Sequence, residues 1–405
     1  MNHILIKDKL LKFIILIYSI IPITLVAGSF VFELNLLTII ITLIYHIHKE
    51  KRLVKEITNN EFFKIFIFLW FYLLFNTIIS ADFSLSIIRN VFFIKFLFVI
   101  ISFKFFLSNK FLLNKILFAW TIIISIISLD VIFEFIMGHN LVGFTSPMPN
   151  ERVVSFFKDE LIVGGYILGF FFPIIGFHLY KKKIFITFLL GLLFIIAILL
   201  SGERSSFFKL FYALFLIILF FLKKNKYRIV LFLILASLIS SIFLNEKINY
   251  RYYKTINHQF KNLSINNLYE TTLNTKYLNQ SLLTYEIFKE NKLFGVGNKN
   301  YFNKCIRLKK ELAPKCYTHP HQVYYEFISE HGLFGTFIIM ISLFILLFKK
   351  NIFSSTPNTN FLFIFKIYCI ISLIPLVPTG SFFSSYSMAL FWINFSFLEI
   401  FKKIK

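Results

Sequence analysis

Apolar residues in this chain come in runs of membrane-spanning length, separated by short clusters of charge. The runs fall near residues 12–31, 33–47, 62–80, 86–107, 114–137, 161–180, 184–200, 206–222, 228–244, 332–348, 361–378 and 383–401. Most match the length a helix needs to cross about 30 Å of hydrocarbon. They lack the polar–apolar alternation of a membrane β-barrel strand. The pattern predicts an all-α polytopic membrane protein of about 12 transmembrane helices. One connection breaks the rhythm. From 245 to 331 the chain is polar and Asn-rich, with helical period only in pieces such as Leu282 to Phe288. The predicted organisation is a first block of membrane helices over 1–244, a partly helical loop domain over 245–331, and a second membrane block over 332–405.

Charge orients this layout. One set of connections is rich in lysine: Lys49 to Lys55, Lys104 to Lys115, Lys181 to Lys183, Lys223 to Arg228, Lys349 and Lys350, and the C-terminal Lys402 to Lys405. The alternate set is sparse and mixed: Glu33, Asp82, Glu151 to Glu160, and Glu203 with Arg204. Lysine and arginine accumulate on the cytoplasmic side of membrane helices. Both termini are therefore expected in the cytoplasm, with the long loop, Arg152 and Arg204 on the outer side. The first run is long and no small-residue cleavage site follows it, so it reads as a span and not a leader.

Composition adds one exclusion. The chain is 58% apolar, above the 45–50% or so of soluble domains. Its net charge of +23 would suit a nucleic-acid binder, but the basic residues flank the spans, where they set topology.

Candidate chemistry gathers in a few places. Cys316-Tyr317-Thr318-His319-Pro320-His321-Gln322 leads into Glu326, Glu330, His331 and Gly332. Pro320 disfavours a helical His319, so alternation places the His319 and His321 side chains together on an extended segment, with a helix starting near His321 or Gln322. A histidine at the water–membrane boundary can take a proton from a hydroxyl at neutral pH. Cys305 and Cys316 lie close in sequence within the outer loop, where an oxidising compartment favours a disulfide. A zinc site using Cys316, His319 and His321 is the alternative, but it lacks a fourth ligand. Ser201-Gly202-Glu203-Arg204-Ser205 interrupts two apolar runs, a costly break unless it lines a wet cavity. Arg204 there offers the fixed fork of donors that suits a diphosphate. Arg152, Lys158 and Glu160, followed by Gly164 and Gly165, form the other dense cluster on the outer side. Gly295-Val296-Gly297 reads as a tight turn, a C-cap or an anion nest. Arg89, Lys95 and Lys366 read as snorkelling or buried pairs.

In this order, the motifs resemble the O-antigen ligase/polymerase family of bacterial envelope enzymes. The resemblance rests on Arg152…Phe156-Phe157-Lys158-Asp159-Glu160…Gly164, Ser201-Gly202-Glu203-Arg204-Ser205, Leu293-Phe294-Gly295-Val296-Gly297, and His319-Pro320-His321-Gln322…Tyr325…Glu330…Gly332…Gly335. His-Pro-His followed by Glu-x-Gly-x-x-Gly is its most specific part. Gln322 stands where the family has Asn or Ser. The family also carries an arginine early in the external loop; only Lys276 lies near that place, with Arg251 further upstream.

The resemblance implies metal-independent, inverting glycan transfer at the periplasmic face of the bacterial inner membrane. The donor would be an undecaprenyl-diphosphate-linked glycan. The acceptor would be lipid A–core in a ligase, the favoured reading, or a second carrier-linked repeat in a polymerase. A lipid-linked glycan transporter is a lesser alternative. By position, His321 would engage the acceptor hydroxyl and Arg204 the leaving diphosphate. Arg152, Lys158, Glu160, His319, Glu326 and Lys276 would bind substrate. No cofactor, metal or nucleic acid is implied.

Overall fold

The computed structural model describes residues 8–149, 151–222, 224–255, 257, 276–308, 316–348, 357–375 and 377–403. All regular structure among them is helical. The helices are α1 (Asp8–Ser19), α2 (Ile21–Ala27), α3 (Ser29–Lys49), α4 (Arg52–Thr58), α5 (Glu61–Ile78), α6 (Phe83–Phe92), α7 (Lys95–Phe106), α8 (Lys110–Met137), α9 (Val163–Tyr180), α10 (Ile184–Leu200), α11 (Arg204–Leu216), α12 (Asn225–Leu244), α13 (Glu246–Asn249), α14 (Lys276–Glu290), α15 (Tyr301–Leu308), α16 (Val323–Phe348), α17 (Pro357–Ser372) and α18 (Ser385–Lys403). Every apolar run of the sequence has become one of these or a broken pair.

Among the described residues, eight helices are long and apolar enough to cross a membrane, or nine if α1 and α2, bent by 46°, form one span. A multi-pass membrane protein follows. The expected count of about 12 is reached only with α10, α17 and α18, which are shorter or carry polar residues such as Asn394 and Glu399. The α1–α2 bend has a local cause. Pro22 has no N–H for the Tyr18 carbonyl. That carbonyl accepts from Trp120 Nε1 of α8 instead, at 2.8 Å.

Helix α9 is the buried centre, packed against α8, α10, α17 and α18. Asn394 Nδ2 of α18 donates to the Gly169 carbonyl at 2.8 Å, a close approach that Leu390 would block against any larger residue at 169. Helix α12 is the opposite case: only Leu235 and Leu238 are buried, Leu231, Ile234 and Ile242 are half-buried against the core, and most of its other apolar side chains are exposed. Two ion pairs join helices within the bundle, Lys95 with Glu33 and Lys104 with Glu399.

Helix α16 starts beside the point expected for it, near His321 or Gln322, and continues through the apolar run from 332. It begins at Val323, capped by the Gln322 side chain, which accepts from Tyr325 N at 2.9 Å. Its interior holds Gly332 at φ 64, a left-handed residue that breaks the hydrogen-bond ladder. Broken ladders in an apolar setting must be completed elsewhere. The freed amides of Leu333 and Phe334 donate to the carbonyls of Lys292 and Leu293, at 2.9 and 3.0 Å. The freed carbonyls of Ser329 and Glu330 accept from Val296 and Gly297, both at 2.9 Å. The Gly-Val-Gly stretch is therefore the plug that seals this break. Asn76 of α5 and Asn90 of α6 fix its next residue, Asn298, at 2.9 and 2.6 Å. Gly332→Ala puts a Cβ in the left-handed region and against the Leu293–Phe294 peptide. Backbone strain of that kind costs about 1–3 kcal/mol before any clash. The expected result is a clear drop in the Tm of the detergent-extracted protein; an unchanged Tm would show the plug to be dispensable.

Candidate functional site

The connections singled out in the sequence lie at one end of the bundle and bind one another. At the first cluster, α10 ends in Ser201 and the chain turns through Gly202 at φ 68. A Cβ at Gly202 would collide with the Glu151 carbonyl, so glycine is what lets this turn lie on the 148–153 loop. Val153 N reaches the Ser201 carbonyl at 3.3 Å. Glu203 Oε2 accepts from Gly165 N at 2.8 Å, and side chains at Gly164 or Gly165 would crowd Glu203. Gly164, Gly165, Gly202 and the Glu-Arg dipeptide thus form one packed joint, with Arg204 as the first residue of α11.

Arg251 completes it. The chain leaves α12, passes α13 and enters a π-turn over Tyr250–Lys254. There the Arg251 Nε donates to the Gly202 carbonyl at 2.9 Å and Nη1 to Glu151 Oε2 at 2.6 Å. Arg152, Arg251, Lys247, Glu151 and Tyr252 line a pocket floored by Phe135, Leu199 and Leu200. The Arg152 guanidinium is braced by the Leu161 carbonyl. The Tyr252 hydroxyl donates to the Leu199 carbonyl at 2.9 Å. Burial raises the pKa of this phenol, Glu203 raises it further, and Arg251, Arg152 and Arg204 pull it back. One buried side chain thus senses all three arginines. Lys158 and Glu160 are exposed beyond the short helical turn Ser155–Phe157 and do not line this pocket. Lys276 opens α14, but its side chain lies outside the described residues.

The second cluster is the histidine segment. The rings of His319 and His321 lie 4.1 Å apart, and Tyr317 packs edge-on to His321 at 5.3 Å. His321 has φ 55, a conformation costly for a non-glycine residue. Its carbonyl is held by Thr379 N at 2.8 Å. A Cys305–Cys316 disulfide, with Cα atoms 5.8 Å apart, staples the start of this segment to α15. Cys305 is buried against Leu283 of α14. The bridge removes Cys316 from the zinc alternative, and no group of three or more possible metal ligands occurs among the described residues.

The carboxylates that follow these histidines in sequence are buried. Glu326 is buried, and its carboxylate accepts from Ser381 Oγ at 2.6 Å and Phe382 N at 2.7 Å. It clamps the α17–α18 connection to α16. Arg89 shares this polar core, with Asn298 Oδ1 and Ser381 Oγ each 3.4 Å away. Glu330 accepts from Tyr301 N at 3.3 Å, and His331 pairs with the Tyr72 hydroxyl at 3.1 Å. The sequence showed these groups, but not that they face inward.

The α17–α18 connection ties the clusters together. Thr379 holds His321, Ser381 and Phe382 hold Glu326, and Tyr386, just inside α18, lies within electrostatic reach of Glu203 and Glu160. Arginine donors and histidine rings therefore stand on neighbouring connections of one polar end.

Comparison with known proteins gives a family match. A family model described as O-antigen ligase matches residues 189–340, a segment that runs from α10 through Arg204, Arg251 and His321 into α16. No curated protein matches the chain.

Proposed function

We propose that this chain is a glycosyltransferase-like membrane enzyme of the O-antigen ligase-like family, whose model matches residues 189–340, and that it moves an undecaprenyl-diphosphate-linked glycan onto lipid A–core at the periplasmic face of the inner membrane. The observation that carries the reading is the pocket in which Arg152 and Arg251 meet at Gly202, two residues before Arg204, at the same end of the bundle as His321. A glycosyl diphosphate is already activated. The acceptor oxygen attacks the anomeric carbon, the bond to the diphosphate oxygen breaks, and the pair leaves with the carrier. His321 takes the hydroxyl proton. Arg204, Arg152 and Arg251 neutralise the charge that grows on the departing diphosphate, so that no divalent ion is needed. A single displacement inverts the anomeric centre. The carrier's tail requires this site to sit at the lipid surface, with both termini and the lysine-rich connections in the cytoplasm. Residues 245–331 are then periplasmic, with the 323–331 part forming the entry of α16.

The test is reconstitution in nanodiscs with a polyprenyl-diphosphate-linked oligosaccharide and two acceptors. Glycan should appear on lipid A–core, with release of the diphosphate carrier. Longer carrier-linked glycan and untouched lipid A–core would favour the polymerase reading. Ser205→Cys and Thr318→Cys should both react in intact cells with a maleimide that cannot cross the inner membrane but reaches the periplasm. Protection of either would overturn the orientation and the mechanism with it.

A further inference from the structure

We propose that Glu134 is a positioning residue for the donor site, acting through the loop that carries Arg152; this rests on the reading of Arg152 as a contact for the donor diphosphate. Glu134 lies in the last turn of α8, where the helix dipole disfavours an anion, and it is buried. Both of its oxygens are used. Oε1 accepts from Val154 N at 3.0 Å and Oε2 accepts from Ser155 N at 2.5 Å. Asp130, one turn earlier, takes Ser155 Oγ at 2.5 Å and Leu141 N at 2.8 Å. Asn140 Nδ2 donates to the Ser155 carbonyl at 2.7 Å. Ser155 is thus bonded at its amide, hydroxyl and carbonyl, and it is held at φ 51, a left-handed conformation that serine rarely adopts unaided.

This anchor sits next to the pocket without entering it. Phe135, the neighbour of Glu134, lines the pocket, and Glu134 does not. From Ser155 the loop runs back through Val153, whose amide reaches the Ser201 carbonyl, to Arg152. The carboxylate therefore sets the height and direction of Arg152 over the Ser201–Arg204 turn. Two backbone amides converge on it, so charge and two acceptors are both required. A glutamine amide supplies one acceptor and turns its NH2 against the second N–H. Asp130 differs, because an asparagine there accepts from Leu141 N and donates to Ser155 Oγ, keeping both bonds.

The experiment compares Glu134→Gln, Glu134→Asp and Asp130→Asn in nanodiscs, reading donor KM, acceptor KM, Tm and amide exchange over 151–157. Glu134→Gln should raise donor KM about ten-fold, speed exchange at Val154 and Ser155, and leave acceptor KM within about two-fold. Glu134→Asp should recover part of the loss. If Glu134→Gln is not recovered folded, Glu134→Asp carries the test, with faster exchange at the same amides and an intermediate donor KM. Asp130→Asn should stay near wild type. Unchanged exchange in the Glu134 variants, or Asp130→Asn as damaging as Glu134→Gln, would overturn the assignment. Amide exchange reports the anchor whatever the substrate is. Failure of the donor-site reading appears separately, as Arg152→Ala with an unchanged donor KM, and would overturn the functional half of the proposal.

Discussion

His321→Ala is expected to lower the turnover of glycan transfer by about 10²–10⁴ while donor binding changes less than about two-fold. The reason is the division of labour between the two clusters. In the proposed mechanism the arginines hold a group that is anionic before and after reaction, so they act on binding and on the leaving charge. The imidazole acts only while the acceptor hydroxyl is losing its proton. Its direction is fixed from both sides: Thr379 N holds the His321 carbonyl, and His319 and Tyr317 pack on the ring. His321→Gln keeps a hydrogen-bonding group of similar reach but cannot take the proton, and should be nearly as slow as alanine. His319→Ala removes a packing neighbour and should cost less. Single-turnover measurements with saturating donor separate these cases. A His321→Ala enzyme that kept more than about a tenth of its rate would remove the histidine from the chemistry, whatever its position.

How much of this was legible beforehand depends on the range of the interaction concerned. Membrane helices answer to a one-dimensional requirement, length of apolar run, so the runs returned as helices almost one for one. The break inside α16 was not legible, because the ladder opened at Gly332 is sealed by Val296 and Gly297, and no local pattern shows that pairing. The Gly-Val-Gly motif was visible as a turn, but its task was not. Arg152 and Arg204 stood out as charges between apolar runs. Arg251 looked like one more basic residue among Lys247 and Lys254, and its partners Glu151 and Gly202 are distant in sequence. Glu326 was conspicuous, yet sequence does not distinguish a carboxylate facing a substrate from one facing Ser381 and Phe382. Asp130 and Glu134 are the opposite failure. Two carboxylates one turn apart inside an otherwise apolar helix are expensive unless something binds them, so the pattern marks a binding partner without naming it.

Arg251→Ala is expected to weaken donor use by about 10²-fold in kcat/KM, and Arg251→Lys to recover little of it. Arg251 reaches the Gly202 carbonyl with Nε and Glu151 with Nη1, so one planar fork joins the π-turn to both connections. An ammonium is a point donor on a flexible stem and cannot reproduce two fixed directions at once. Removing only the guanidinium does a second kind of damage. Glu151, which lines the same pocket, is left as an uncompensated anion where the diphosphate must sit. The Arg251→Ala, Glu151→Ala double variant should therefore use donor better than Arg251→Ala alone, a coupling that independent sites would not show. Lys247→Ala tests whether mere positive charge in the pocket explains the effect, and should cost only about two-fold, as a loosely held cation at a wet rim does. Arg204→Ala should fall at least as far as Arg251→Ala, because Arg204 stands on the turn that the other arginine braces. If Arg251→Ala binds donor normally, or the double variant is no better than the single one, the pocket is a structural joint, and the donor diphosphate must be sought elsewhere at this end of the bundle.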